Sequence, residues 1–267
     1  MGVVNVTPDS FFDGGRYFDH AAAIRHGEEL LADGADLLDV GGESTRPGAD
    51  PVGEAEELRR ILPVVRALAP MGRVSIDTTK PAVARAAIEA GATLINDVGG
   101  ELAPLAAASG AGLVVMHHRG TPKDMVRYAH YDDVVAEVTA ALLDAAGRAR
   151  ALGVAELYLD PGIGFAKTAA HNLALLDALP ALVGHGDVLV GTSRKSFLGE
   201  LAAGGAGHRP LPPERRLPGS VATAVFAMLA GARIVRVHDV RVTVQARTLL
   251  GPRAGALSGA VAVAAGP

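Results

Sequence analysis

The chain has 267 residues, enough for one (β/α)8 barrel without a second domain. Its 25 basic and 29 acidic side chains leave a net charge of −4, which argues against nucleic acid or a polybasic membrane anchor as the main partner. There is no cysteine, which excludes a disulfide framework, a thiolate metal site and a cysteine nucleophile, and no apolar stretch is long enough to span a membrane, so a cytoplasmic protein is expected.

Short β-branched runs predict strands at residues 2–6, 36–40, 74–77, 93–98, 113–117, 157–160, 188–191 and 233–238. Ala/Leu-rich segments between them predict helices, among them 21–32, 54–69, 81–90, 134–152 and 220–230. Several helices stop at a glycine just before the next strand, as at Gly34, Gly91 and Gly231, where a residue without Cβ can take the left-handed conformation that ends a helix. Eight β-then-α units predict a closed parallel barrel, an α/β fold in one domain over residues 1–267. The rival, an open doubly wound sheet, lacks the glycine-rich phosphate loop expected after its first strand. Residues 204–218 read as a loop inserted between two helical segments, and the Gly/Ala-rich tail after about residue 252 as loose structure.

In such a barrel the chemistry sits at the C-terminal ends of the strands. Here the strands close on polar groups: Asn5 with Thr7, Asp39 and then Glu43-Ser44-Thr45-Arg46, Asp77, Asn96-Asp97, His117-His118, Asp160, Ser193-Arg194-Lys195-Ser196, and Arg236 with His238. Alternation along a strand puts Arg236 and His238 on one face and Val235 and Val237 on the other. If the valines pack beneath the helices, both cation-capable groups enter the barrel mouth, and by the same logic Asn5, Asp77, Asn96 and Asp160 can all point inward. Two carboxylates and an amide beside a lysine would form a polar floor suited to a flat heterocycle with many donors and acceptors. Arg46, Arg236 and His238, with a loop amide such as Asn5, would suit an anion such as diphosphate.

Plainer roles compete. Asp77 and Asp160 can be read as helix caps. Lys195 can be read as a helix-start residue or a Schiff-base lysine, although no second lysine or acid–base relay is evident beside it. The pair His117-His118 invites a zinc site, but adjacent strand residues face opposite ways, so at most one reaches the mouth.

Taken in order, seven segments resemble dihydropteroate synthases. They are Asn5-Val6-Thr7-Pro8-Asp9-Ser10-Phe11, Gly42-Glu43-Ser44-Thr45-Arg46-Pro47-Gly48, Ser75-Ile76-Asp77-Thr78, Ile95-Asn96-Asp97-Val98, Asp160-Pro161-Gly162-Ile163-Gly164-Phe165, Ser193-Arg194-Lys195-Ser196 and Arg236-Val237-His238-Asp239-Val240. The resemblance implies a pterin pocket of Asp77, Asn96, Asp160 and Lys195, lined by Met116, Phe165 and Gly191. It implies a magnesium ligand at Asn5, a diphosphate-binding pair in Arg236 and His238, and a p-aminobenzoate site shaped by Thr45, Arg46, Pro47 and Ser196, with Phe11 folding over it. The implied reaction displaces diphosphate from a 6-hydroxymethyl-dihydropterin ester by an aryl amine, with Mg2+ as cofactor, and a homodimer is the usual assembly. Family members usually carry a segment ahead of strand one that caps the barrel bottom, and this chain starts at strand one, so the resemblance implies a shortened N-terminus. Two relatives are weighed against this reading: a methyltetrahydrofolate–corrinoid methyltransferase, which is not expected to keep the Ser193–Ser196 segment or the first loop, and a non-catalytic pterin-binding paralogue.

Overall fold

The computed structural model describes residues 1–7, 20–45, 48–205 and 208–251. The first half alternates β1 (Gly2–Asn5), α1 (His20–Ala32), β2 (Leu37–Gly41), α2 (Glu54–Leu68), β3 (Arg73–Asp77), α3 (Pro81–Glu89), β4 (Leu94–Asp97) and α4 (Ala103–Ser109). The second half continues with β5 (Gly112–Met116), α5 (Val134–Ala151), β6 (Leu157–Asp160), α6 (Ala169–Asp177), α7 (Leu179–Val183) and β7 (Leu189–Val190). It ends with α8 (Ser196–Ala202), α9 (Leu217–Leu229), β8 (Ile234–Val235) and α10 (Val240–Leu250).

Strands β1 to β6 form one parallel sheet in sequence order, and β7 pairs in parallel with β8. The two pieces meet at both edges through single bridges, Leu159 with Val188 and Gly2 with Val237. Hydrogen bonds run across both junctions, from Leu159 N to Asp187 O at 2.8 Å and from Val237 N to Met1 O at 2.9 Å. An open sheet would leave two edges bare; here each is met by a neighbour, and the fold is a (β/α)8 TIM barrel. Strands β7 and β8 are shorter than the sequence predicts because their ladder is irregular. Val188 O accepts from both Arg233 N (2.9 Å) and Ile234 N (3.1 Å), after which Arg236 N reaches Val190 O at 2.9 Å.

Two apolar layers follow from the alternation of side chains along each strand. Val4, Leu38, Ile76, Ile95, Leu113 and Leu159 face outward and pack against the helices. Met1, Leu37, Leu94, Val114, Tyr158 and Leu189, with Ile234 beside them, fill the lower barrel interior. This inner plug sets the level of the site. Two residues beyond Leu37, Leu94, Val114, Tyr158, Leu189 and Ile234, on the same inward face, come Asp39, Asn96, Met116, Asp160, Gly191 and Arg236. The barrel axis thus changes from hydrocarbon to polar within one side-chain layer.

The segment read as an inserted loop after α8 ends sooner than expected. Helix α9 starts at Leu217, with Pro218 in its first turn, where a missing N–H breaks no helical hydrogen bond. Phe11, Arg46 and Pro47 lie outside the described residues, as does the tail after residue 252. No described helix is long and apolar enough to cross a membrane.

Leu38 is fully buried between β2 and the helix layer. Leu38→Ala is expected to lower unfolding stability by roughly 2–5 kcal/mol, and Leu38→Met by less than about 1.5 kcal/mol, both read from urea midpoints. Equal losses for the two would contradict tight packing there.

Candidate active site

A cavity of about 490 Å3 opens at the C-terminal end of the strands, lined by Asn5, Thr45, Asp77, Phe165, Gly191, Lys195, Ser196, Arg236 and His238, with Glu43 and Arg216 among its other walls. Asp39, Asn96, Met116 and Asp160 are buried in the interior layer just above the plug. A larger cavity, about 590 Å3, lies at the opposite end around Met1, Leu37, Arg73 and Tyr158, away from the strand ends where barrel chemistry is placed.

The floor is tied together by Arg236. Its Nε donates to Asp39 Oδ2 at 2.6 Å and its Nη2 to Asp77 Oδ2 at 2.9 Å, so one guanidinium links β8 to β2 and β3 across the barrel. Asn96 Nδ2 donates to the same Asp39 oxygen at 3.0 Å. Burial pushes the Asp77 carboxyl upward, and Arg236 pulls it back down. A guanidinium at hydrogen-bond distance, charged at any working pH, favours the carboxylate. Asp39 Oδ1, Ser75 Oγ and Asn96 Oδ1 are buried and have no hydrogen-bond partner among the described residues, so the floor retains acceptor capacity.

On the other side, Lys195 Nζ donates to the Ile163 carbonyl and stands 4.8 Å from the centre of the Phe165 ring. Desolvation lowers its amine to about 8, with Asp160 opposing and Arg236 reinforcing the drop. Asp160 is itself raised by burial, against the pull of Lys195 and of the 2.7 Å hydrogen bond from Gly162 N. A Cβ at Gly162, whose φ is +65°, would run into the His117 carbonyl, so only glycine lets this turn pass so close to β5. Neither aspartate caps a helix: α3 has no side-chain cap, and α6 is capped by Thr168.

The turn after β7 is held in an uncommon shape. Arg194 takes φ 58°, left-handed for a non-glycine residue, a conformation that costs on the order of 1–3 kcal/mol and persists only where neighbours enforce it. Asp239 accepts from Arg194 Nε at 2.9 Å and Nη2 at 2.5 Å, Ser220 Oγ accepts from Arg194 N at 2.9 Å, and Arg216 Nη1 donates to Arg194 O at 2.8 Å. Next to it, Ser193 Oγ accepts from His238 N at 3.1 Å and lies 3.0 Å from His238 Nδ1, orienting the imidazole. Lys195 and His238 are therefore aimed by a strained turn clamped from α9 and α10.

Three participants escaped the sequence reading. Asp39 appeared there only as one of the strand-end polar groups, yet it anchors Arg236 and Asn96. Ser193 sat within a recognised segment without an assigned role. Lys167 is the second lysine that the sequence did not reveal. Its Nζ lies 2.9 Å from His117 Nδ1 and donates to Phe165 O at 3.0 Å, and burial lowers its amine to about 7, with Asp160 opposing and the Lys195 charge contributing. His117 is buried and held to about 3, first by desolvation and then by Lys167, so it is a neutral acceptor. His118 instead faces Gly120 O at 3.3 Å. No cluster of three or more metal-ligating side chains occurs among the described residues, which leaves the zinc reading without a site there.

Two measurements follow from this geometry. Arg236→Met would leave Asp39 and Asp77 buried without their cation, and unfolding stability should fall by roughly 3–5 kcal/mol; an unchanged urea midpoint would show the triad to be dispensable. For Lys167, the unfolded chain binds more protons than the folded one between about pH 7 and the ordinary lysine value, so this group's contribution to stability rises with pH across that window. Wild-type protein should thus gain on Lys167→Met as pH is raised from 7 to about 10, and a gap independent of pH would contradict the burial penalty.

The sequence profile of the family described as "Pterin binding enzyme" matches residues 1–238. The chain is 50% identical over 261 residues to the dihydropteroate synthase of Mycobacterium leprae, covering 94% of this chain and 92% of that protein. It is 46% identical over 256 residues to the dihydropteroate synthase of Escherichia coli K12, covering 92% and 88%. Among solved structures, Xanthomonas albilineans dihydropteroate synthase with 4-aminobenzoic acid superposes with a TM-score of 0.85 at 46% identity, covering 93% of this chain and 90% of that one. The same organism's enzyme in complex with 7,8-dihydropteroate gives 0.82 at 43% identity, covering 93% and 90%. With a matched profile over residues 1–238 and relatives at 50% and 46% identity over nearly its whole length, the chain belongs to the pterin binding enzyme family, among the dihydropteroate synthases.

Proposed function

We propose that the chain, as one barrel domain, condenses 6-hydroxymethyl-7,8-dihydropterin diphosphate with p-aminobenzoate to give 7,8-dihydropteroate and diphosphate. The observation that carries this reading is that Asp77 and Lys195 line one cup, with Asn96 and Asp160 buried in the layer beside them, although the four come from separate strand ends. A dihydropterin ring offers donors and acceptors around its edge. The open acceptor Asn96 Oδ1, the Asp160 carboxylate and the Lys195 ammonium supply partners of both kinds at the floor. Met116, Phe165 and Gly191 then border the ring's faces and rim.

The bond to be broken joins the pterin methylene carbon to the diphosphate oxygen, and negative charge grows on that oxygen as it leaves. Arg236 on the floor and His238 two residues further along the chain both line the cavity and can meet it. Arg236 uses Nε and Nη2 on Asp39 and Asp77 and makes no hydrogen bond through Nη1 among the described residues, so one edge of the guanidinium remains for an anion. Asn5 supplies an amide oxygen on the same wall. Magnesium keeps most of its water and takes phosphate oxygens, so a single protein oxygen fits the role, and no all-protein cage is needed. When bound, Mg2+ would neutralise charge developing on the diphosphate.

The methylene carbon left behind carries positive charge shared with the ring, which Asp77 and Asp160 stabilise from below. The aryl amine forms the new C–N bond from the side bounded by Thr45 and Ser196 and gives up one N–H proton to the departing diphosphate or to water; Arg46, Pro47 and Phe11, outside the described residues, are assigned to this substrate by the family resemblance alone. No protein nucleophile is required; positioning and electrostatics carry the rate. A cytoplasmic location rests on the sequence composition, and a homodimer is carried over from the family resemblance alone.

The direct experiment combines the protein with the dihydropterin diphosphate, Mg2+ and p-aminobenzoate and follows diphosphate release against dihydropteroate formed. One-to-one formation is expected. Binding without release would mark a non-catalytic paralogue, and absence of pterin binding would sink the reading altogether. Lys195→Ala and Asp160→Asn should each weaken pterin binding by roughly ten- to a hundredfold, the scale of a hydrogen bond to a charged group; wild-type affinity in either would remove it from the pocket.

A further inference from the structure

At the edge of the cup lies a charge cluster that the reaction as described does not use, with Glu43 on the cavity wall, Glu57 fully buried and Lys80 half-buried between them. Lys80 precedes α3, and its Nζ lies 2.5 Å from Glu43 Oε2 and 2.5 Å from Glu57 Oε2. Glu57 belongs to α2, is fully buried, and also accepts from Thr78 Oγ1 at 2.7 Å, so its carboxylate is fixed in place. Glu43 opens the loop after β2, and its Oε2 accepts from Val52 N at 3.0 Å, near that loop's far end. Arg60 Nη1 adds a bond to the Gly42 carbonyl at 2.9 Å. Burial presses the Lys80 amine downward, but the two carboxylates outweigh it and hold the amine above its ordinary value.

The consequence is mechanical. One ammonium holds a loop carboxylate against a helix carboxylate. Without it, two like charges would face each other across a short, poorly solvated gap, and only the loop is free to withdraw. The residues that follow Glu43 are Ser44 and Thr45, both of which line the cavity.

We propose that Lys80 is a positioning residue for the aryl-amine half of the site: by clasping Glu43 to Glu57 it fixes the base of the loop that presents Ser44 and Thr45. The assignment rests on the reading that Thr45 borders the aryl amine. None of its hydrogen bonds reaches Asp77, Asn96, Asp160 or Lys195, so the clasp bears on the aryl-amine side far more than on the pterin floor.

The test uses the full chain with Lys80→Met, Lys80→Arg, Glu43→Ala and the double variant Lys80→Met/Glu43→Ala. Lys80→Met should raise KM for p-aminobenzoate on the order of tenfold, with KM for the dihydropterin diphosphate within about twofold of wild type. Lys80→Arg should recover most of that loss. Glu43→Ala keeps the buried Lys80–Glu57 pair, and so reports on the loop even if Lys80→Met does not fold. Because both side chains act through one contact, the double variant should lose no more than the worse single one. Hydrogen exchange of the amides of residues 42–45 and 48–53 should quicken in Lys80→Met and Glu43→Ala, a readout that needs no turnover. Parallel rises in KM for both substrates, additive losses in the double variant, or unchanged exchange in that segment would overturn the clasp. A wild-type protein that makes no dihydropteroate would instead overturn the function while leaving the exchange result to judge the clasp.

Discussion

The site depends on one half-buried cation placed between two buried anions. Arg236 reaches from β8 to Asp39 on β2 and Asp77 on β3. Removing such charges from water is expensive, and the arrangement is tolerable only because geometry and hydrogen bonding are good on every side. Asn96 completes the set by donating to the Asp39 oxygen that Arg236 already engages. The triad has little call on hydrophobic burial. What it provides is a fixed orientation for groups that a barrel of Val, Leu and Ile could not orient.

Around this centre the charges balance closely. Asp39, Asp77 and Asp160 face Arg236, Lys195 and Lys167, and burial disfavours the charged form of the acids and amines alike. Desolvation depresses Lys195 and Lys167 and raises Asp160, and each is partly restored by its opposite number. Such a cup can accept a polar heterocycle by exchanging internal pairings for pairings with the ligand, without importing a large net charge. It is also poised for a reaction that separates a cation on carbon from an anion on phosphate, since groups of both signs are already fixed on either side.

The fold was legible in the sequence because a barrel is written in two simple periods: helices ending at Gly34, Gly91 and Gly231, and strands alternating between helix-facing and axis-facing residues. The same alternation put Asn5, Asp77, Asn96, Asp160, Arg236 and His238 on one side, and the structure brings them to one end of the axis. Applied to Leu37-Leu38-Asp39-Val40-Gly41, it also turns Asp39 inward, so that signal was present and was left unused. Lys167 and Lys80 were different. Both precede helices on loops, where direction is set by tertiary partners such as the His117 ring and the Glu57 carboxylate, and no local period encodes those. The early start of α9 was hidden because Pro218 reads as a breaker until its place in a first turn is known.

The barrel is not equally stitched around its circumference. Strands β1 to β6 share continuous ladders, whereas β7 and β8 are two residues each and join their neighbours by single bridges. Lys195 and Arg236 hang from that thinly sewn sector, while Asp77 and Asn96 belong to the robust one. A ligand resting on all four spans the weak arc like a staple, so occupancy and local breathing of the sheet are thermodynamically linked. Filling the cup tightens the wall that carries it, and loosening that wall empties the cup.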